Sequence, residues 1–416
     1  MIAVSETRLR ADIEANAQFG SIAVDEGRGR TVLTGTDANR DARDHLVTRL
    51  KDAGLAVSVD RVGNIVGRWV PDTADPNAAP IASGSHLDSV PRGGIFDGPL
   101  GVYAALESVR ALQASAVTPS RPIHVVCFTE EEGQRFGNGL LGSSVATGRR
   151  DSEEALTLTD EAGTTVVESL ERIGYHGAGQ VDASKWDAWV ELHIEQGTRL
   201  EDAGSQAGIV TDIAGITHCY VDISGHADHA GSTPMGRRTD AIAAASELVL
   251  ELETEANRVV SETSSTAVGT VGKLDASPNA TNVIAGDATL GVDIRDVSHE
   301  SIESLVETVE ASARRLEDDR HVDVDIRRPY MVPPEPMAER CRSAFRTAAK
   351  RANVSTLSLH SGAAHDTMNV ARVTDAGLLF AVSRDGVSHN PLEWTSWADC
   401  TAATAVLAGA IADLAT

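Results

Sequence analysis

The sequence predicts an α/β fold, a central mixed sheet flanked by helices, interrupted by an inserted α+β domain. Three observations predict it. Short apolar runs alternate with helical patterns through the first half, the texture changes near Ile213, and alternation resumes after a proline-punctuated return at Pro329, Pro333, Pro334 and Pro336. A helix at the N-terminus leads into a polar Gly/Arg/Thr segment (27–43) and a second helix over 44–53. Residues 64–70, 81–86 and 123–129 read as buried strands, with a helix over 100–112 and a further strand over 189–194. Between 213 and 327 the order is strand, long helix (240–259), strands (266–273 and 283–295), helix (301–316), strand (322–327). That β-α-β-β-α-β order is the one of a ferredoxin-like sandwich. The larger domain is therefore expected at 1–212 and 328–416, with the insert at 213–327.

Composition narrows the class of function. The chain has 416 residues, 42% of them apolar, and 36 basic against 61 acidic side chains for a net charge of −25. Such a surface repels phosphate backbones and anionic membranes, so neither nucleic acid nor membrane is an expected partner. No uninterrupted apolar run of 18 residues occurs, which argues against a membrane-spanning helix, and no secretory signal opens the chain; a cytoplasmic protein is expected. Lys51, Lys185, Lys273 and Lys350 are the only lysines. Abundant carboxylates with scarce lysine suit a protein kept soluble in concentrated salt, so a halophilic source is expected. Cys127, Cys219, Cys341 and Cys400 are widely spaced and read as buried free thiols.

Five places offer chemistry. His86 ends a buried strand, with Asp88 two residues on and able to support its ring. Asp97 lies in a Gly-rich loop opening a helix, Glu130-Glu131-Glu132 follows a strand, His193 and Gln196 follow another, and His389 comes after a C-terminal strand. Each piece has a bland reading: a hydrogen-bonded core histidine, an exposed acidic run, or, for Asp97, a helix cap. Together they gather at the strand ends where open α/β sheets build their sites. Three histidines and two carboxylates form a borderline donor set suited to Zn²⁺, Mn²⁺, Co²⁺ or Ni²⁺, and a carboxylate can bridge two such ions.

In order along the chain stand Gly84-Ser-His-Leu-Asp-Ser-Val, Gly93-Gly-Ile-Phe-Asp-Gly-Pro-Leu-Gly-Val, Glu131-Glu-Gly-Gln-Arg-Phe, His193-Ile-Glu-Gln-Gly, His229-Ala-Gly-Ser-Thr-Pro-Met, Asn282-Val-Ile, Asp293-Ile-Arg-Asp, Ser361-Gly-Ala-Ala-His-Asp and Ser388-His-Asn-Pro. This series resembles the M20 metallopeptidase family in its amidase/hydantoinase/carbamoylase branch. The resemblance spans about residues 60–395. It implies a zinc-exopeptidase-like catalytic domain, an inserted lid through which the protein forms a homodimer, and two divalent ions per subunit. His86 and His193 would bind one ion, Glu132 and His389 the other, with Asp97 bridging. Glu131 matches the general base, Asp88 the partner of His86, and His229 a donor to the oxyanion in the partner subunit's site. Gln196, Asn282, Arg295, Gly362 and His365 match substrate-binding positions, an Arg being suited to a substrate carboxylate. His218 stands where many members carry Arg.

The implied reaction is cleavage of the C–N bond of an N-carbamoyl group on a small carboxylic acid: an N-carbamoyl-L-amino acid, β-ureidopropionate or allantoate. An aminoacylase or exopeptidase of the same family is the alternative, since it would share the ligands. A non-catalytic member would have lost a ligand or the base, and none is lost. Gly137-Asn-Gly139-Leu-Leu-Gly142 fits a dinucleotide-binding pattern but follows an acidic loop instead of an apolar strand.

Overall fold

The computed structural model describes residues 2–137 and 139–416; Met1, and Asn138 of the Gly-rich segment just named, lie outside the described residues. The chain divides into two compact units, Met1–Thr211 with Pro336–Thr416, and Asp212–Glu335.

The first unit is built on a mixed sheet. Four strands at its centre run parallel in the order Asp375–Ala381, Ala188–Ile194, Ile81–His86, Ile123–Phe128. Ile65–Trp69 then pairs antiparallel with Ile123–Phe128, and Ala56–Val59 antiparallel with Ile65–Trp69. Ile81–His86 and Ala188–Ile194 are buried at every position. That is the mark of a sheet covered on both faces, which reads as a continuous apolar run in place of an alternation. Trp189 packs on one face with Val126 and Phe128, while Val190, Leu192 and Val125 belong to the main core on the other.

Helices Pro99–Gln113, Glu339–Ala352 and Trp397–Ala415 pack together over the main core. By length and composition Trp397–Ala415 is apolar enough to cross a membrane, contrary to the expectation from uninterrupted runs; 67% of its most apolar stretch is buried inside the protein. Asp399 and Asp413 interrupt that run, which is why counting uncharged residues passed over it.

The second expected helix begins earlier than its apolar pattern. It spans Asp37–Asp52, with the Thr36 hydroxyl accepting from the Asn39 N–H at its start. Its first inward positions are Asn39, Ala42 and Arg43, all buried and two of them polar. Arg43 donates to the Asn39 side chain, the Gly63 carbonyl and the Thr129 hydroxyl. Polar groups at core positions concealed the helical period until Leu46 and Leu50.

The second unit has a four-stranded antiparallel sheet, ordered Val268–Ser277, Asp287–Asp296, Gly215–Ser224, Asp323–Val332. Helices Ala241–Glu262 and His299–Arg320 pack on it, completing the ferredoxin-like arrangement. The single strand expected over 283–295 is two: Val283–Ile284 pairs with Asp228–His229, and the sheet strand starts at Asp287. Asp323–Val332 runs through the boundary expected at 327, with a register shift between Arg327 and Tyr330 that accommodates Pro329. All four cysteines are buried and free.

Candidate metal centre

The C-terminal edge of the parallel strands brings acids and imidazoles together. His86 is the last residue of its strand and His193 the next to last of its own, and their rings stack with centroids 6.0 Å apart. Their outer nitrogens converge on one carboxylate oxygen: His193 Nε2 lies 3.2 Å and His86 Nε2 3.6 Å from Asp97 Oδ1. The other oxygen, Asp97 Oδ2, is 3.5 Å from His389 Nε2, which is 3.4 Å from Glu132 Oε2. Two donor groups result, His86–Asp97–His193 and Asp97–Glu132–His389, sharing Asp97.

The protonation pattern suits cations between these groups. His86 Nδ1 lies 3.1 Å from the Asp88 carbonyl and His193 Nδ1 3.0 Å from the Ile194 carbonyl. A carbonyl can only accept, so each Nδ1 carries the hydrogen in the neutral ring and each Nε2 presents a lone pair. Those lone pairs face a carboxylate oxygen, and buried His86 Nε2 has no hydrogen-bond partner among the described residues. Acceptors facing acceptors repel unless a proton or a metal cation sits among them, and carboxylate with imidazole is the donor chemistry of divalent transition metals. The residues fit two such ions.

Local backbone shapes this edge. The helix after Asp97 opens at Pro99 with Gly98 as its N-cap and no side-chain cap, which removes the capping role considered for Asp97. Gly98 has φ 80°, and a Cβ there would lie 2.6 Å from the His86 ring. Glu130, Gln196 and His389 take left-handed backbone with φ of 56°, 58° and 54°. Left-handed backbone costs about 1–2 kcal/mol at a non-glycine residue, and these three take it beside the ligands, while His321 and Asn353 take it as helix C-caps elsewhere.

The acidic run is no solvated surface. Glu130 is buried and accepts from the Arg135 and Phe136 N–H groups. Glu131 Oε2 stands 3.7 Å from His86 Nε2 with its side chain 11% exposed. Burial pushes the Glu131 carboxyl well above its usual range; His86 opposes this, while Asp366, Glu132 and Asp88 add to it. Burial and Asp97 push Glu132 up to about 8. Asp97 is held well below the carboxylate range: burial opposes ionisation, but His193 and His86 outweigh it. For His86 burial disfavours the charged ring, yet Glu131, Asp97 and Asp88 lift its pKa well above normal. Carboxylates this close ionise together only when cations offset them.

The other expected residues fall in two places. In the first unit the Asp88 carboxylate accepts from the Glu132 N–H at 3.1 Å and lies 3.8 Å from His86 Nδ1, farther than its own carbonyl. Gln196 Nε2 donates to Asp97 Oδ2 at 2.9 Å and to the Ser388 hydroxyl at 3.2 Å. His365 is buried with its ring 4.5 Å from that of His193, and burial followed by His193 holds its pKa well below normal. Gly362 is exposed at the end of the strand Thr356–Ser361. In the second unit His229 and Asn282 are neighbours, the Asn282 carbonyl accepting from the Ala230 N–H. His229 Nδ1 accepts from the Gly231 and Ser232 N–H groups, which puts the ring hydrogen on exposed Nε2. Arg295 makes a two-pronged contact with Asp293, and His218 Nε2 lies 3.1 Å from that same carboxylate.

Two buried residues beside the ligands, Glu393 and Arg30, had no signal in the motif spacing, and half-buried Ser388 stood in a quoted motif without an expected role. Glu393 accepts from the Phe96 and Asp97 N–H groups at 2.9 and 3.0 Å. The Ser388 hydroxyl lies 2.9 Å from Asp97 Oδ2 and 3.1 Å from Glu393 Oε2. Arg30 comes from the segment read as a polar connection.

Residues 82–413 match peptidase family M20/M25/M40. An N-carbamoyl-L-amino acid amidohydrolase of Geobacillus stearothermophilus is 37% identical over 394 residues, 94% of each chain. An allantoate amidohydrolase of Bacillus subtilis is 35% identical over 386 residues, 92% of each chain. The crystal structure of a hydantoinase/carbamoylase-family amidase from Burkholderia multivorans matches 100% of this chain and 98% of its own, with TM-score 0.92 and 34% identity. With its strand-end imidazoles and acids, this chain belongs to peptidase family M20/M25/M40, in the hydantoinase/carbamoylase amidase branch of these metal-dependent hydrolases.

Proposed function

We propose that the protein hydrolyses the C–N bond of an N-carbamoyl group on a small carboxylic acid, releasing ammonia, CO₂ and the amine. The observation that carries this is the pair of donor groups sharing Asp97 with Glu131 at their side. The names of its relatives, amidohydrolases of carbamoyl-amino acids and of allantoate, support the substrate class. His86 and His193 would hold one divalent ion and Glu132 and His389 a second, with Asp97 between them. When bound, such ions polarise the carbamoyl group and make a water molecule acidic.

The chain's own residues do the rest. Glu131, 3.7 Å from His86 Nε2 at the side of the donor groups, takes the proton of the attacking water and returns it to the leaving nitrogen. His229 offers Nε2–H to the developing oxyanion. Arg295 and Asn282 anchor the substrate carboxylate, a planar guanidinium matching it in a fork. Asp88 and Gln196 orient the Glu132 turn and the Asp97 carboxylate through the contacts above, and His365 and Gly362 line the substrate's path.

The proposal extends to a cytoplasmic homodimer formed through the second unit acting as a lid, to Zn²⁺ or Mn²⁺ as resident ions with Co²⁺ or Ni²⁺ as substitutes, and to a halophilic source. A melting temperature that does not rise from low to molar KCl counts against the last. Ammonia release from N-carbamoyl-L-amino acids, β-ureidopropionate and allantoate, each with added Mn²⁺, Zn²⁺, Co²⁺ or Ni²⁺, tests the reaction itself. Turnover of N-acyl amino acids or dipeptides with none of the ureido acids would replace it by the aminoacylase or exopeptidase reading.

A further inference from the structure

The two donor groups are held differently. His86 and His193 sit on central strands locked into the sheet, whereas Asp97, Glu132 and His389 sit on turns beyond the strand ends. Turns keep a ligand geometry only if something braces them, and the brace here is the N-terminal ribbon 27–32.

Arg30 is at its centre. The residue is 0% exposed, and its guanidinium donates to four main-chain carbonyls. Nε reaches Gly94 at 2.9 Å and Nη1 reaches Leu87 at 3.0 Å, while Nη2 lies 3.2 Å from the Asp97 carbonyl and 3.5 Å from that of Asp88. One rigid fork thus ties the turn after His86 to the loop that ends in Asp97. The ribbon's own backbone reinforces this. Arg30 N–H donates to the Gly93 carbonyl, and Val32 N–H to the Ser89 hydroxyl. Arg28 N–H donates to the Pro391 carbonyl at 2.7 Å, reaching the His389 turn.

From the other side Glu393 takes the Phe96 and Asp97 N–H groups, so the Asp97 loop is clamped by its carbonyls and its amides together. Gly94 makes room for the clamp, since a Cβ there would lie 2.2 Å from the Glu393 carboxyl. A buried guanidinium bonded to neutral carbonyls is costly unless anions stand close. Burial is the larger influence on Arg30, and Glu393, Asp97, Asp88 and Glu132 offset it in part.

We propose that Arg30 is a positioning residue for the turn-borne metal subsite: its fork sets where Asp97 stands relative to Glu132 and His389, and so governs uptake of the second ion. The inference rests on the two-ion reading above. Lysine in its place keeps the charge but cannot span four carbonyls, having a single ammonium with three donors.

The test is Mn²⁺ binding to metal-free protein by equilibrium dialysis for wild type, Arg30→Lys and Arg30→Gln, with melting temperatures of the metal-free forms. The wild type is expected to take up two ions per chain. Both variants should bind the second ion about 10–100-fold more weakly, the usual effect of removing a group that orients a ligand, and lose clearly less at the first, whose two histidines stand on sheet strands. Variants that bind both ions as the wild type does, that weaken both equally, or that are unfolded before binding can be read reduce Arg30 to a general fold element and overturn the proposal. A wild type that takes up a single ion overturns the two-ion reading and this inference with it, an outcome distinct from unchanged variants on a two-ion background.

Discussion

The two units bury their sheets in opposite ways. In the first, neighbouring residues on one strand are both inside: Leu378 and Leu379 are each 0% exposed. In the second, burial alternates along Asp287–Asp296, with Ala288, Leu290, Val292 and Ile294 inward and the residues between them partly open. A sheet covered on both faces can lock ligands at its strand ends and raise carboxyl pKa values by desolvation. A sheet covered on one face leaves Arg295, Asp293 and His218 where a solute can reach them. Under the proposed function the first unit would carry the metal ligands and the base, and the second the carboxylate-anchoring residues together with one oxyanion donor, His229.

The largest expected effect tests that division directly. Glu131→Gln should lower kcat by about 10²–10⁴-fold with metal content unchanged, as loss of a general base does. Substantial residual turnover would remove Glu131 from its role. His229→Ala, on the second unit, should cost about 10²–10³-fold in kcat, the usual consequence of losing an oxyanion donor. An unchanged kcat would confine the second unit to binding alone.

Packing should separate the two sheets as well. Leu378→Ala and Leu379→Ala are each expected to lose about 2–5 kcal/mol of stability in urea titrations, because neither face of that strand has spare room. On the second sheet Leu290→Ala should lose a comparable amount, but Thr289→Ala only about 1 kcal/mol, the net worth of its hydrogen bond to Asp222. Equal losses at Thr289 and Leu290 would mean that the second sheet is covered on both faces in solution.

A smaller effect concerns pH. His124 lies on Ile123–Phe128 opposite Arg68, and burial followed by Arg68 pushes its pKa down to about 4. The unfolded ring titrates near 6.5, so between pH 6.5 and 4 the unfolded chain binds the extra proton. This contribution is present above pH 6.5 and is lost as pH falls towards 4, amounting to at most about 3 kcal/mol. His124→Gln should flatten the fall in melting temperature over that window.

Much of this was legible before any coordinates. Alternation on the second sheet and continuous apolar runs on the first are one-dimensional consequences of how many faces each strand buries. The five proposed ligands were legible because imidazole and carboxylate at strand ends are expensive to bury without a purpose. The helix Asp37–Asp52 was partly missed because Asn39 and Arg43 bury polar groups that are paid for by distant partners. Arg30 and Glu393 were missed for the same reason: a side chain whose partners are main-chain carbonyls and amides leaves no residue pattern to read.

The sequence by itself determined the order of strands and helices, the donor types, and the family, because these follow from local periodicity and from motifs short enough to survive in one dimension. Tertiary structure alone decided that Asp97 stands between two sets of nitrogens and oxygens, that Nδ1 of His86 and of His193 faces a main-chain carbonyl, and that Arg30 clamps two turns at once. Those facts depend on distances between segments as far apart as residues 30, 97 and 389, and such distances are set by packing of the whole unit, which no local pattern encodes.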